Sequence, residues 1–167
     1  MLSLRALVFL SACALASCNS RSAETWQPPP LSARREAAIN VDVRAFAIAV
    51  AQDVTREGPA AWRKYFSESP AFFMAADGNL QFPDSATATA GIQALTRTIQ
   101  HIDLKWGDDL RVDPLAPNLA MIAAPYHEVI LTTSGSQLDS RGFFTAVVEF
   151  RDGQWRFRNL HWSAAKT

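Results

Sequence analysis

Apolar residues recur at helical spacing near the start of the chain and alternate with polar residues near its end. Ser32 begins a predicted first helix, and Gly58-Pro59 ends it, because both residues interrupt helical hydrogen bonding. The three-and-four spacing of one helix face is met by Ala38, Val41, Ala45, Ile48, Ala49 and Val54. This stretch is therefore predicted to be one long amphipathic helix.

A second, short helix and a hairpin are predicted next. The helix starts near Pro59 and ends at Ser69-Pro70. Its aromatic residues on one side are Trp62, Tyr65 and Phe66. Asp77-Gly78 is a strong hairpin turn sequence, so it predicts two strands, over residues 71–75 and 79–82.

The rest of the chain predicts one more helix and then a sheet. Residues 83–90 are predicted to form a loop, and Gly91 introduces a third helix from Ile92 to about Ile102. Predicted antiparallel strands follow over residues 104–112, 119–133, 138–151 and 154–163.

Alternation is clearest in the strand over residues 138–151. The apolar positions Phe144, Ala146, Val148 and Phe150 oppose the polar positions Arg141, Thr145, Glu149 and Arg151. One face of the sheet is thus predicted to be buried and the other to face water. The element order ααββαββββ predicts an α+β domain, with helices first and a curved antiparallel sheet wrapped around them.

The first residues have the pattern of a secretory signal. Arg5 precedes a short apolar core over residues 6–14, which is shorter than the ~20 apolar residues that a membrane-spanning helix needs. Leu15-Ala16-Ser17-Cys18 resembles a lipobox, the tetrapeptide cleaved in bacterial lipoproteins. We predict a signal peptide over residues 1–17 and a lipid on Cys18. The alternative is an ordinary signal peptide, with Cys18 left as a free thiol.

The lipobox resemblance predicts where the mature protein is held. The other cysteine leaves with the signal, so the mature chain is expected to hold no disulfide. Residues 18–31 are a predicted lipidated tether, and residues 32–165 are a single predicted domain. Asn19 follows the lipid site, where aspartate favours the inner membrane in Gram-negative bacteria. We therefore expect a cell-envelope protein, on the periplasmic face of the outer membrane.

Composition excludes several classes of function. The chain carries 16 basic and 16 acidic residues with no basic stripe, so nucleic acid is not an expected partner, because its binding relies on phosphate neutralisation. His, Cys, Asp and Glu show no metal-ligand spacing. Phosphate-loop and nucleophile-elbow sequences are missing as well. We predict neither a metal nor a cofactor.

The closing part of the chain resembles a known family. Arg151-Asp152-Gly153 forms a basic-Asp-Gly turn, Trp155 and alternating apolar residues follow, and His161 and Ser163 complete a His-x-Ser sequence. This run, together with the element order, resembles the SnoaL-like, nuclear-transport-factor-2-like (NTF2-like) superfamily. The resemblance covers roughly residues 33–165 and implies a cone-shaped fold. It implies no particular reaction, since this fold carries many chemistries.

The resemblance also implies a pocket between the concave sheet and the helices. Carried over position by position, the implied ligand-binding residues are Tyr126, Glu128, Phe144, Ala146, Asn159 and His161. Val148 adds to this wall, and the aromatic residues of the second helix close the far side. The calcium/calmodulin-dependent protein kinase II association domain has basic residues in its pocket, where this chain has Ala146 and Trp162. An anion held by arginines is therefore not implied, unless Arg141 or Arg158 reaches in from a loop.

Three of these residues are candidates for catalysis. Tyr126 and Glu128 are two apart on one strand and share a face. Glu128 would be a general base and Tyr126 an oxyanion donor. Alternatively, Glu128 lies in water at the mouth and Tyr126 is packing. His161 is either a pocket acid or base or a histidine bonded within the sheet. His101 and His127 are expected to be structural.

Two further expectations concern partners and function. Relatives commonly dimerise through the sheet face, and Phe143, Leu160 and Trp162 would suit an apolar homodimer interface. The leading hypothesis is a membrane-anchored lipoprotein that binds a small, partly hydrophobic ligand. The alternatives are an isomerase- or hydrolase-type enzyme, using Glu128 or His161 with Tyr126, and a scaffold subunit.

Overall fold

The long first helix has the predicted bounds. The computed structural model describes residues 30–165; the predicted signal peptide, Cys18 and nearly all of the predicted tether lie outside them. Helix α1 spans Ala33–Glu57, and the Ser32 hydroxyl accepts a hydrogen bond from the Arg35 N–H at 3.3 Å. It ends at Gly58 with φ of 71°, a conformation that glycine adopts at little cost.

The buried face of α1 differs from the predicted one. The structure buries Ile39, Val43, Ala47, Val50 and Val54. Val41 is 67% exposed and Ile48 is 53% exposed. Ala38 and Ala45 are exposed as well, so four of the six residues of the predicted face lie in solvent. Apolar residues occur on more than one side of this helix, and contact with the sheet selects the buried side.

The first hairpin forms at the predicted turn. The second helix begins near Pro59 as predicted but ends at Lys64 rather than at Ser69-Pro70, so Tyr65 and Phe66 follow it. A 3₁₀ helix spans Gly58–Lys64 and buries Trp62. Strands β1 (Phe73–Ala76) and β2 (Asn79–Phe82) pair antiparallel. Asp77 and Gly78 join them with positive φ values of 49° and 81°, as a tight hairpin turn requires.

The third helix begins earlier than predicted. Helix α2 spans Ser85–Thr98, so the predicted loop over residues 83–90 and the predicted helix end at Ile102 are both wrong. The Asp84 side chain accepts a hydrogen bond from the Thr87 N–H at 2.7 Å and caps the helix. Ile99 already belongs to the next strand, since pairing with a neighbouring strand wins over helix continuation there.

The predicted strand over residues 104–112 is two strands. Strand β3 spans Ile99–Trp106 and β4 spans Arg111–Ala116, with Asp108-Asp109 as the turn between them. Both pair antiparallel with the long strand β5 (Leu119–Thr132), each along a different half of it. The sheet therefore has seven strands rather than six.

The sheet is mixed and curved around α1. Strands β6 (Gln137–Arg151) and β7 (Gln154–Ala164) complete the order β2-β1-β7-β6-β5-β3, with β4 beside β5. The predicted antiparallel pairing holds for every pair except β1–β7, which is parallel. The Trp106 indole N–H donates to the Ala47 carbonyl at 2.7 Å and ties β3 to α1. Within residues 30–165, no helix is long and apolar enough to cross a membrane.

Strand β7 carries a bulge that decides which side chains face the core. Its register with β6 shifts between Val147 and Val148. Phe157 and Leu160 are both buried although they are three residues apart, because the extra residue of a bulge reverses the facing beyond it.

Candidate ligand-binding cavity

A cavity of about 320 Å³ lies between the 3₁₀ helix, α2 and the concave face of the sheet. Its aromatic lining residues are Trp62, Phe66, Phe82, Tyr126 and Trp162. Its polar ones are Asp77, Glu128 and Ser140, and the rest of the wall is largely aliphatic. The volume is at the low end of the ~300–1,000 Å³ that small-molecule sites occupy.

Glu128 is the most unusual residue of this cavity. It lies on β5 between Leu104 of β3 and Ser140 of β6, its partners in the sheet. Burial raises the pKa of the Glu128 carboxyl above its ordinary value, and no hydrogen bond or charge among residues 30–165 opposes that shift. A carboxyl of this kind binds and releases protons closer to neutral pH than an exposed one does.

Tyr126 and Ser140 form a polar strip beside Glu128. The Tyr126 hydroxyl is 3.3 Å from the Ser140 hydroxyl, and either oxygen is able to donate. Tyr126 is only 6% exposed. Gly142 faces it on β6, where a Cβ atom would lie 2.9 Å from Tyr126 Cε1. The lack of a side chain at Gly142 thus makes room for the tyrosine ring.

The structure places only part of the predicted set in the cavity. Tyr126 and Glu128 line it, as do Trp62 and Phe66 from the predicted far wall. Tyr65 does not, because its hydroxyl donates to Asp53 of α1 at 2.7 Å. The Tyr65 ring packs instead beside α1.

Phe144, Ala146 and Val148 belong to the packed core, which corrects their assignment to the pocket. They are 0%, 4% and 0% exposed. The Phe144 ring centroid lies 4.5 Å from that of Trp162 and 5.0 Å from that of Trp106. Large rings fill the cone at this level, so a ligand has no space there.

Asn159 and His161 lie outside the cavity for a different reason. Strict alternation from Trp155 would bring both to the concave face, but the β7 bulge turns Leu160 and Trp162 inward instead. The Asn159 amide donates to the Ala71 carbonyl at 2.7 Å and joins β7 to the segment before β1. His161 is exposed on the outer face. Its assignment as a pocket acid or base is therefore corrected.

Because of the bulge, two residues predicted for the dimer face do not lie on the outer surface. Leu160 is 1% exposed and Trp162 packs inside the cone, so neither is on the outer face. Phe143 is 45% exposed. It remains the one residue of that set with its ring on the outer surface.

Sequence reasoning missed Phe82, Ser140 and Trp162 as cavity residues. Ser140 could have been predicted from the strand register, since it lies directly opposite Glu128. Trp162 was hidden by the bulge. Phe82 enters because its ring packs on Gly91 of α2, where a Cβ atom would lie 2.3 Å from Phe82 Cε1.

A second, larger depression is less suited to hold a ligand. It has a volume of about 710 Å³ and lies around Pro125, Arg141 and Phe143. Arg141 and Phe143 are exposed, so little of this depression is withdrawn from water. Within residues 30–165, no three His, Cys, Asp or Glu side chains are grouped to hold a metal ion. We therefore assign the candidate site to the smaller cavity around Glu128.

Comparison with known proteins identifies the fold. No protein-family model matches the chain and no curated protein is similar to it in sequence. An NTF2-like superfamily protein from Salmonella enterica serovar Typhimurium is 17% identical, with a TM-score of 0.60 over 80% of this chain and 94% of that one. A hexachlorocyclohexane dehydrochlorinase is 13% identical, with a TM-score of 0.60 over 78% and 87%.

A third similar structure carries no assigned activity. It is an NTF2-like protein of unknown function from Shewanella oneidensis MR-1, 14% identical, with a TM-score of 0.54 over 74% of this chain and 97% of that one. The domain has the NTF2-like fold, as the closing hairpin indicates. Proteins with this fold include enzymes and proteins without a known reaction, so the fold leaves the chemistry to the cavity.

Glu128 should make stability depend on pH. Its pKa is raised in the folded protein above the ordinary 4.5, so its stabilising contribution is complete below pH 4.5 and is lost as pH rises through the folded-state pKa. We expect Glu128→Gln to remove this loss, so that the variant gains stability relative to the parent as pH rises. Denaturant unfolding of both proteins across this range measures the difference. Parallel pH profiles would contradict the burial of Glu128.

Proposed function

We propose that this domain binds a small, mostly apolar molecule in the cavity, with Glu128, Tyr126 and Ser140 orienting its polar group. The observation that carries the proposal is the Glu128 carboxyl, which is partly buried in the cavity wall without a compensating partner among residues 30–165. Burying such a group costs free energy. A ligand that contacts it offsets this cost, which gives the residue a functional reason to be there.

We also propose that the domain is held at the cell envelope by lipid on Cys18, on the periplasmic face of the outer membrane in a Gram-negative cell. The apolar core and lipobox-like sequence support this proposal. Replacement of Cys18 by serine should release the protein from the membrane fraction, and retention there would contradict lipidation. Phe143 on the outer face supports a homodimer; a monomer mass at micromolar concentration would exclude one.

Binding is tested by thermal shift with the full chain and a metabolite library. A ligand at 100 times its dissociation constant should add about 2.7 kcal/mol to the free energy of unfolding. We expect Glu128→Gln and Tyr126→Phe to weaken the shift. Phe143→Ala, which alters only the outer face, should keep it. A hit unchanged in both cavity variants would place binding elsewhere, and silence across the library would contradict the proposal.

A second candidate function is proton-transfer catalysis of the isomerase or hydrolase type. The raised pKa of Glu128 favours it, because a general base works best with a pKa near the working pH. Tyr126 and Ser140 would supply hydroxyl donors to a developing oxyanion. Likeness to a dehydrochlorinase supports an enzyme only at the level of fold. Turnover that vanishes in Glu128→Gln while ligand binding persists would distinguish catalysis from binding alone.

A further inference from the structure

The charges that line the cavity are of one sign. Its ionisable residues are Glu128, Asp77 and Tyr126, and no Lys, Arg or His among residues 30–165 contributes to the wall. Asp77 is exposed at the rim, where its carboxylate accepts a hydrogen bond from the Ala164 N–H at 2.7 Å. An anionic ligand would therefore meet repulsion and find no counter-charge in this wall.

The aromatic residues of the cavity wall also favour a cationic ligand over an anionic one. The Trp162 ring lies 4.7 Å from the Tyr126 ring at an interplanar angle of 83°. It lies 5.9 Å from the Trp62 ring at 88°. Rings that meet at right angles at these distances pack edge to face, so the three rings form one continuous aromatic wall. The negative face of an aromatic ring attracts cations.

The neighbours of Glu128 do not neutralise it. Leu104 faces it from β3, Ser140 from β6, and Tyr126 and Ile130 lie on either side along β5. None of these four carries a positive charge. An ionised carboxylate in such surroundings is costly unless an opposite charge joins it. A cation in the cavity is the missing half of an ion pair.

We propose that the ligand of this cavity is a small organic cation, an amine protonated at neutral pH and carried on an aromatic or apolar body. Glu128 is its counter-ion, and the rings of Trp62, Tyr126 and Trp162 form the aromatic wall beside it. Leu95 and Leu138, which are 38% and 55% exposed, form the mouth. The inference rests on the proposed binding function and names the class of ligand.

Isothermal titration calorimetry of the full chain with three probes of matched shape tests the proposal. The probes are phenethylamine, phenethyl alcohol and hydrocinnamate, which carry a positive, a neutral and a negative end. We expect phenethylamine to bind about tenfold tighter than the alcohol, because it gains an ion pair and cation–π contacts. Hydrocinnamate should not bind.

Two variants and a control test which residues cause the preference for the amine. Glu128→Gln should bring the affinities of amine and alcohol together, since it removes the charge and keeps the shape. Trp62→Leu should weaken the amine more than the alcohol, since it removes one ring of the aromatic wall. Asp113→Asn removes the same charge from an exposed position on β4, and it should preserve the preference.

The outcomes separate this inference from the binding function beneath it. Equal affinity for amine and alcohol, or preference for hydrocinnamate, would overturn the proposal of a cationic ligand but leave the proposed binding function intact. Preference for the amine that survives in Glu128→Gln would overturn Glu128 as its counter-ion. If folded protein binds none of the probes and the metabolite screen is silent, both proposals fail.

Discussion

Replacing Phe144 with alanine should lower the free energy of unfolding by about 3–5 kcal/mol, the usual cost of truncating a fully buried aromatic residue. Phe144 is 0% exposed. Its ring packs between those of Trp106, Phe157 and Trp162, with centroid distances of 5.0, 5.6 and 4.5 Å. Truncation leaves a hole that three large rings cannot close without moving. The loss includes both apolar transfer and the cavity left behind.

Phe143→Ala is the matched control. The adjacent side chain points to the opposite face of β6 and is 45% exposed, so its loss should change stability by no more than about 0.5 kcal/mol. Urea unfolding of the two variants beside the parent measures both effects. Equal costs would contradict the assignment of Phe144 to the core. A stable Phe144→Ala protein that fails to bind ligand would show that Phe144 lines the pocket after all.

Gly142→Ala should cost about 1–3 kcal/mol, as overpacking of a close-packed site does. Its Cβ atom would lie 1.9 Å from the Ser163 carbonyl oxygen and 2.9 Å from Tyr126 Cε1. The first contact is with backbone of the paired strand β7, so relief requires β6 and β7 to separate locally. The second pushes the Tyr126 ring towards the cavity. One methyl group is therefore expected to reduce both stability and ligand binding.

Ser140→Ala is the comparison for this substitution. Ser140 precedes Gly142 by two residues on the same face of β6, and its change removes only the hydroxyl 3.3 Å from that of Tyr126. We expect a smaller loss of stability than for Gly142→Ala. Thermal unfolding and ligand titration of the two variants give the comparison. Wild-type behaviour of Gly142→Ala in both would contradict the close approach of β6 and β7.

Local sequence chemistry determined the elements whose ends carry strong turn or capping residues. Ser32 and Gly58-Pro59 bound α1, Asp77-Gly78 turns the first hairpin, and Asp152-Gly153 turns the last. These residues act on the backbone within a few positions of themselves. The closing hairpin, together with the element order, was enough to predict the NTF2-like fold.

Tertiary contacts decided what local chemistry left open. The sheet selected the face of α1 with Ile39 and Val43, and pairing with β5 drew Ile99 out of the helix. The bulge in β7 turned His161 outward and Trp162 into the cavity. Each outcome depends on atoms far apart in the chain, because burial and register are set by what an element packs against. Glu128 was identifiable from its strand position, but only the assembled cone partly buries its carboxyl and raises its pKa.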